Sequence, residues 1–465
     1  MKYLKYIGIG LLTLLLVLYF LIAKPILGIL TGFSAKALCS CHFISERSLE
    51  DIANHELSVA SFASHSIDYD QQISSSSFLG VKRQALYRAG RGCTLLSEMT
   101  AEELKSQETV TYKSGLSTFD FPKDTSDLYP ALQGVIDQAF EEPYSDKAVN
   151  TRAVLVIKDG VIIGEQYKEG YHQQTAQMGW SMTKSVTNAL VGILTQKTDL
   201  DIYAPAPISA WHEKSDDPRQ AVTLDQLLRM SSGLAFEEDY GSDSDVNRML
   251  WTRADAARVA YSQKLAHEPD TQWYYSSGTT NIISKIIRDQ FPDQSSYLKF
   301  PYESLFSKLG MSTAIMETDP SGTYVGSSLM YASARDWAKF GQLYLNDGIW
   351  NGERILPEGW VEYSITPTKT TSPYDYYGAH FWINAKKEPP AGSAMPSPWV
   401  DVPADAYYAS GFEGQTILLL PSENMVIVRL GQTLDRSAWD IGAFAGQIIK
   451  STFGIDNITK NEILK

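Results

Sequence analysis

The pattern of apolar and polar positions divides the chain into three parts. Residues 6–23 form an unbroken uncharged run that is rich in leucine, isoleucine and valine. Residues 31–120 are polar and rich in serine, as in the stretch "QQISSSSFLG". From about residue 125, apolar residues recur with the spacings of helices and strands. We therefore expect an apolar N-terminal segment, a polar extension and a folded main domain.

Two segments of the main domain have the pattern of β-hairpins. In "RAVLVIKDGVIIGEQY", two apolar runs surround Asp159-Gly160, a residue pair typical of a two-residue turn. Near the C-terminus, "GQTILLLPSENMVIVRL" again places two apolar runs around a polar turn. These patterns predict antiparallel strand pairs near the beginning and the end of the main domain.

Helical periodicity fills most of the sequence around these hairpins. Apolar residues at 182, 186, 189, 190, 193 and 194 predict a buried helix from Ser181 to about Gln196. A mostly helical region follows over about residues 200–345, and "SAWDIGAFAGQIIKSTF" predicts a closing helix. Before the first hairpin, "SDLYPALQGVIDQAFEE" predicts a helix with Ser126 or Asp127 as its N-cap. Together the elements predict an α+β sandwich, with an antiparallel sheet flanked by helices and a mostly helical subdomain.

The N-terminal run has the length of a transmembrane helix. Its 18 uncharged residues just span the hydrocarbon core of a bilayer, and no small-x-small cleavage site follows closely. We favour an uncleaved anchor within residues 1–33, and a cleaved signal peptide is the alternative. Because Lys2 and Lys5 precede the run, the N-terminus should be cytoplasmic. The protein would then be single-pass, with its catalytic domain on the non-cytoplasmic, periplasmic side.

The remaining domain boundaries follow from composition. We assign residues 34–120 to an N-terminal extension or cap and residues 121–465 to the main domain. All three cysteines (Cys39, Cys41 and Cys93) precede residue 100, which agrees with export. Cys93 could form a disulfide with Cys39 or Cys41, and three unpaired thiols are the alternative.

Charge and motif content exclude several classes of function. The net charge of −14 argues against nucleic acid as a partner, because neutralising phosphates needs a basic surface. No C-x-x-C, H-E-x-x-H or phosphate-loop motif occurs in the 465 residues. We therefore expect neither a metal nor an organic cofactor.

Ser181 and Lys184 are the first candidates for catalysis. They stand three residues apart in "GWSMTKSVTNALVGIL", at the start of the predicted buried helix, so their side chains should lie on one face. A serine hydroxyl becomes a nucleophile only when a base removes its proton. A lysine can be that base if burial lowers its pKa far below about 10.4. A second S-x-x-K, Ser296 to Lys299, lies in polar "DQSSYLKFP" and should be at the surface.

Further segments follow this pair in a family-specific order. They are "SMTKS", "VTLDQLLRMSSGL", "PDTQWYYSSGTTNIISKII", "LFSKLGM", "SARDWAKFGQLYLNDGIWNGERIL" and "YYASGFEGQTILLLPSENMVIVRL". In this order the set resembles the serine β-lactamase and penicillin-binding-protein superfamily. Within it, the chain looks like the class C-related branch that contains esterases and aminohexanoate-oligomer hydrolases. The resemblance covers residues 125–455 and implies a β-lactamase-like fold.

The resemblance also implies roles for individual residues. The family's Tyr-x-Asn or Tyr-x-Ser motif falls on Tyr275 and Ser277, which implies that the phenol relays a proton and Ser277 holds the lysine. The family's strand motif, Lys-Thr-Gly or His-x-Gly, falls on Ala409-Ser410-Gly411, so its basic residue is absent. Gly411 would let the substrate approach, Ser410 would support its binding, and the N–H groups of Ser181 and Phe412 would form an oxyanion hole. Tyr240, after an acidic run, would contact a substrate amide.

These assignments predict a membrane-anchored serine hydrolase that cleaves a small ester, amide or peptide-like substrate. Ser181 would form the acyl-enzyme, and Lys184 and Tyr275 would share the acid and base roles. A β-lactamase or peptidoglycan DD-peptidase that uses the same serine is one alternative, which Ala409 disfavours. A non-hydrolytic binding or sensor protein on the same scaffold is the other.

Overall fold

A single long helix opens the chain. The computed structural model describes residues 2–109, 119–124 and 129–452. Helix α1 (Lys2–Leu18) continues through a π-helical turn (Tyr19–Ala23) into α2 (Lys24–Phe43). Over Tyr6–Phe43 this helix is long and apolar enough to cross a membrane, and its apolar window, with mean hydropathy 2.5, has no buried residue. A signal sequence would have the same properties.

The second half of this helix belongs to the folded body. Burial begins at Leu27, and α2 is buried along most of its length from there to Cys41. Glycine is required at Gly32, because a Cβ there would lie 2.5 Å from the Trp251 carbonyl oxygen. The predicted boundary between anchor and extension, at residue 33, therefore lies inside a continuous helix.

The polar extension forms a small sheet against α2. After α3 (Leu49–Asn54) come β1 (Ser64–Asp68), β2 (Ile73–Phe78), β3 (Val81–Arg88) and β4 (Gly92–Leu95), then α4 (Ala101–Ser106). The strands are antiparallel and adjacent in chain order. A disulfide between Cys39 and Cys93 joins α2 to β4, which is one of the two predicted pairings, and Cys41 is a buried free thiol.

The remaining strands build the main sheet and two small ones. They are β5 (Thr151–Lys158), β6 (Val161–Tyr167), β7 (Gln177–Met178), β8 (Ile315–Met316), β9 (Met330–Ala332), β10 (Ile349–Trp350), β11 (Glu353–Arg354), β12 (Trp382–Ile383), β13 (Tyr407–Gly411), β14 (Gln415–Leu420) and β15 (Met425–Gly431). The main sheet has the order β12-β13-β14-β15-β5-β6 with antiparallel neighbours. Both predicted hairpins are confirmed, and Asp159 and Gly160 adopt the positive φ angles of a tight turn.

Helices cover both faces of this sheet. The helices of the main domain are α5 (Pro130–Gln138), α6 (Met182–Lys197), α7 (Leu224–Leu228), α8 (Asp245–Trp251), α9 (Ala256–Tyr261), α10 (Ser277–Asp289), α11 (Gln294–Pro301), α12 (Ser307–Leu309), α13 (Ala334–Leu345), α14 (Trp360–Ile365) and α15 (Ile441–Thr452). Helices α5 and α15 pack on one face, and α6 and α13 on the other. This arrangement confirms the predicted antiparallel sheet with flanking helices.

Alternation along β5 shows why the sheet takes this central position. Val154 and Val156 point into the core beneath α5 and α15, whereas Leu155 and Ile157 point into the core beneath α13. Since both faces of the strand are apolar, both must be covered. Helix α5 is shorter than predicted, and its predicted N-cap, Ser126 or Asp127, lies outside the described residues.

Candidate active site

Ser181 stands at a sharp turn between β7 and α6. It is the N-cap residue of α6, and the preceding Trp180 has a left-handed backbone with φ of +49°. The half-buried hydroxyl of Ser181 therefore lies at the N-terminal end of a 16-residue helix, where the helix dipole favours negative charge.

Lys184 is buried directly beside this serine. Only 1% of its surface is exposed. Its Nζ lies 3.1 Å from Ser181 Oγ, 3.0 Å from Ser277 Oγ and 3.1 Å from the carbonyl oxygen of Ser327. The structure thus brings together the serine and lysine predicted from their spacing. Ser327, which no sequence motif singles out, supplies the third oxygen around the amine.

Burial sets the protonation state of this amine. Removal from water lowers the pKa of Lys184 to about 8, and the charge of Glu238 opposes that decrease. An ammonium would donate hydrogen bonds to all three oxygens. A neutral amine donates only two and keeps a lone pair, which can accept the proton of Ser181. With this pKa the neutral amine is accessible near physiological pH.

Tyr275 lies next to the serine and the lysine. Lys184 Nζ is 4.7 Å from the centre of its ring. Burial raises the pKa of Tyr275 well above 10, and the neighbouring Ser181 hydroxyl partly offsets that increase. The phenol therefore stays protonated at neutral pH and can donate a proton. Its ring stacks on Trp382, with centroids 5.6 Å apart, so aromatic packing fixes its position.

The carboxylate of Glu238, which the sequence motifs did not identify, is linked to the lysine through the hydroxyl of Ser277. Glu238 Oε1 accepts hydrogen bonds from the hydroxyls of Ser277 (2.5 Å) and Tyr240 (2.8 Å). Its Oε2 accepts from the backbone N–H of Ser277, at the start of α10. Tyr240, 47% exposed, lies at the mouth of the site with its hydroxyl 3.2 Å from Ser277 Oγ. The acidic run around Glu238 has the composition of a surface loop, which conceals that one carboxylate turns inward.

Strand β13 lies against the turn that precedes Ser181. A Cβ at Gly411 would come within 2.2 Å of the Gly179 carbonyl oxygen, so glycine is required for this close approach. The predicted role of Gly411 in substrate approach stays a prediction, and its missing Cβ already makes room for the Gly179 carbonyl. Ala409 is buried and paired with Ile417, so a methyl group stands where the family has a basic residue. Ser410 is half-buried and pairs with Thr416 on β14.

Glu413, a second carboxyl group that the sequence motifs did not identify, joins the two segments that carry the predicted oxyanion donors. Phe412, 41% exposed, packs edge to face on Trp180, with ring centroids 5.6 Å apart. The next residue, Glu413, has φ of +63°, and its Oε2 accepts a 3.2 Å hydrogen bond from Trp180 Nε1. Burial raises the pKa of Glu413 to about 7. Ser181 therefore follows a left-handed residue, Trp180, and Phe412 precedes another, Glu413. The side chains of Trp180 and Glu413 are hydrogen-bonded to each other.

The second S-x-x-K lies far from this chemistry. Ser296 Oγ donates a 2.9 Å hydrogen bond to the exposed Asp293, the N-cap residue of α11. Ser296 therefore belongs to the N-terminal cap of α11, and it and Lys299 are partly exposed, where the polar context predicts a surface position.

Comparison with known proteins assigns the main domain to a family. Residues 136–443 match the family model described as beta-lactamase. The 6-aminohexanoate-dimer hydrolase of Paenarthrobacter ureafaciens is 23% identical over 323 residues, covering 64% of this chain and 76% of that protein. The long N-terminal helix and the β1–β4 sheet precede the residues that match the model.

Two solved structures have the same fold. A family VIII carboxylesterase has a TM-score of 0.52 at 13% identity, over 71% of this chain and 98% of that one. EstCE1, a hydrolase with promiscuous acyltransferase activity, has a TM-score of 0.51 at 15% identity, over 70% and 99%. Together with the family match, they confirm the resemblance predicted from the ordered motifs.

Proposed function

This chain belongs to the beta-lactamase family, and we propose that it is a serine hydrolase that cleaves an ester or amide through an acyl-enzyme on Ser181. The observation that carries the proposal is the position of Lys184. Its buried amine lies within hydrogen-bonding distance of the Ser181 hydroxyl, and burial lowers its pKa to about 8. A base that is partly neutral at physiological pH thus lies beside a nucleophile.

The geometry supports a two-step reaction. Neutral Lys184 takes the proton of Ser181 while Oγ attacks the carbonyl carbon of the substrate. The backbone N–H groups of Ser181 and Phe412 hold the resulting oxyanion, and one such donor is worth about 10² to 10³ in kcat. Tyr275 then gives its proton to the leaving alcohol or amine and recovers one from the Lys184 ammonium.

Water completes the cycle by attacking the acyl-enzyme. Lys184 accepts the proton of the water, and Ser181 Oγ leaves from the tetrahedral intermediate with a proton returned through Tyr275. The products are the free acid and Ser181 in its starting state. Every proton moves between groups of the chain, the substrate and water, so this scheme uses no metal or organic cofactor.

Ala409 directs the proposal toward neutral esters and amides. The strand motif of β-lactamases and peptidoglycan peptidases has a Lys or His that holds a substrate carboxylate or supports proton transfer. Here that position is a buried methyl group. The relatives named as a dimer hydrolase and a carboxylesterase are compatible with an amide or an ester substrate. Tyr240, at the mouth of the site, would contact the substrate.

We further propose that the N-terminal helix is a single-pass anchor. Its large apolar residues from Tyr6 to Ile22 are exposed except around Tyr19, which suits a lipid environment. Because positive charges favour the cytoplasmic side, Lys2 and Lys5 support a cytoplasmic N-terminus and a catalytic domain that faces the periplasm.

A fluorophosphonate probe tests the hydrolase directly. After incubation and digestion, mass spectrometry should find the phosphonyl group on Ser181, with no labelling of the Ser181→Ala variant. Ser296, in the second S-x-x-K, serves as an internal control that should stay unlabelled. An acyl adduct from a p-nitrophenyl ester that forms once and never turns over would instead favour the non-hydrolytic reading.

A further inference from the structure

The β2–β3 hairpin touches the N-terminal helix at the point where the helix leaves the folded body. The Tyr19 hydroxyl donates a 2.7 Å hydrogen bond to the Leu79 carbonyl oxygen. Leu79 and Gly80 form the turn, with φ of +46° and +79°. The turn therefore lies within one side-chain length of Tyr19, at its level or nearer the N-terminus of the helix, because helical side chains tilt that way.

This turn is apolar and exposed to solvent. Leu79 is 63% exposed and Phe62 is 49% exposed. The Phe62 ring packs against Phe78, with centroids 4.6 Å apart, and Leu79 is the next residue along the chain. We call these three residues the hairpin tip. Exposed apolar residues are normal when they are scattered. Here they adjoin a helix whose own apolar side chains are exposed at Phe20, Leu21 and Ile22.

The length of the apolar run fixes the height of the tip relative to a bilayer. The uncharged residues Tyr6–Ala23 span about 27 Å at 1.5 Å per residue, slightly less than the roughly 30 Å of a hydrocarbon core. A span therefore needs all of them. Tyr19 precedes Lys24 by five residues, so the tip lies about 7 Å deeper than Lys24. If the bilayer ended before Tyr19, only about 20 Å of helix would remain, too little to cross.

Three basic residues lie between the tip and the folded body. Lys24 is exposed, with its Nζ 5.3 Å above the Phe20 ring. Lys82 is exposed two residues after the turn. Arg83 lies beside Gly28, and its buried Nε has no hydrogen-bond partner in the part of the chain that the structure describes. An apolar tip below a basic rim matches the boundary between acyl chains and anionic headgroups.

We propose that the hairpin tip inserts into the headgroup–acyl boundary of the leaflet through which the helix leaves the membrane. The proposal rests on the membrane anchor proposed above and does not depend on the hydrolase activity. A single helix lets the attached body swing and rotate. A second contact through Phe62, Phe78 and Leu79 holds the catalytic domain in one orientation on the membrane surface.

Site-directed spin labelling of the full chain tests this contact. The protein is reconstituted in vesicles of phosphatidylcholine and phosphatidylglycerol, with a nitroxide on Leu79→Cys. Tyr69→Cys is the matched control, because Tyr69 is 59% exposed and lies near His42, about 35 Å along the helix from Tyr19. Leu12→Cys reports on the span itself. Cys39 and Cys93 are paired and Cys41 is buried, so the added thiol is the reactive one.

The expected result is a difference between the two ends of the small sheet. Labels at positions 12 and 79 should collide with dissolved oxygen and be protected from a water-soluble nickel chelate, and the label at position 69 should show the reverse. If position 79 is as accessible to the nickel chelate as position 69 while position 12 is in lipid, insertion of the hairpin tip is wrong and the membrane anchor stands. Protection of position 79 from both reagents would indicate a protein contact and also overturn it. A label at position 12 in water would overturn the anchor and the tip together. Unchanged thermal unfolding shows that each variant is folded.

Discussion

The carboxylate of Glu238 accepts a 2.5 Å hydrogen bond from the hydroxyl of Ser277. The same hydroxyl lies 3.0 Å from Lys184 Nζ, so a single hydroxyl separates the acid from the amine. The charge of Glu238 favours the ammonium, whereas burial favours the neutral amine, and burial has the larger effect. Glu238 therefore adjusts the pH at which the proposed base becomes available.

Replacing Glu238 by Gln should extend activity to lower pH. Lys184 acts when it is deprotonated, so activity should rise with pH through its pKa. Without the negative charge the ammonium is less stable, the pKa of Lys184 falls, and the acidic limb of kcat/KM should move down by about 0.5 to 1 pH unit. A pH profile with a p-nitrophenyl ester measures the shift. Glu237→Gln, at an exposed neighbour, should leave the limb in place, and a limb that moves upward in E238Q would refute the assignment.

The Tyr275→Phe variant should distinguish substrates by their leaving groups. An amine must be protonated to leave, whereas p-nitrophenolate leaves without help. We expect kcat to fall about 10² to 10⁴-fold on an amide and much less on the activated ester. Steady-state kinetics on both substrates provides the test. Tyr274→Phe, at the adjacent and half-exposed tyrosine, should change either rate less than about threefold. Equal losses on both substrates would contradict proton donation by Tyr275.

The Glu413→Gln variant should become more stable relative to the wild type as pH rises. Burial raises the pKa of this carboxyl to about 7, above its ordinary value of 4.5. Between these two values the folded state holds a proton that the unfolded state has released, so stability falls as pH increases. Glutamine removes this loss and keeps an acceptor for Trp180 Nε1. The Tm difference between variant and wild type should therefore be more positive at pH 8 than at pH 5, and an equal difference at both would show that the carboxyl titrates normally.

Loss of the disulfide should destabilise the junction between α2 and the small sheet. Cys39 and Cys93 are 54 residues apart, and a link that closes such a loop is worth about 2 to 4 kcal/mol. Denaturant unfolding of Cys93→Ser should show a loss of this size. Cys41→Ser, at the buried free thiol, keeps the disulfide and is the control for a polar hydroxyl in the core. Like the wild type it should lose stability when reductant is added, whereas Cys93→Ser should not. A wild-type protein insensitive to reductant after unfolding would argue against the pairing.

Substrate preference should follow Ala409. Because the strand position that holds a substrate carboxylate is a methyl group, p-nitrophenyl butyrate should be hydrolysed with a kcat/KM at least about 100-fold above that for a chromogenic cephalosporin. Parallel assays with Ser181→Ala as background control measure the ratio. A faster cephalosporin reaction would support the β-lactamase alternative on the same serine.

Local patterns in the sequence predict the parts of this structure that depend on local contacts. Asp159-Gly160 predicts a hairpin because only certain residues tolerate positive φ, and the spacing of Ser181 and Lys184 predicts neighbours because one helical turn joins them. The order of the motifs then identifies the family and its fold.

Local sequence patterns do not predict contacts between residues that are far apart in the chain. Glu413 meets Trp180 across 233 residues, and Glu238 reaches Ser277 across 39. Hydropathy also cannot tell a helix in lipid from one inside protein. The apolar stretch after Lys24 therefore belonged to the predicted anchor, although α2 packs into the folded body from Leu27 onward.

The pH dependence of fluorophosphonate labelling of Ser181 tests the central claim most directly. If buried Lys184 removes the serine proton, the second-order labelling rate should rise through a single ionisation near pH 8. The Lys184→Met variant, which keeps the volume of the side chain without the amine, should react at least about 10³-fold more slowly while remaining folded. Labelling of that variant at the wild-type rate, or a wild-type rate independent of pH between 6 and 10, would contradict the account.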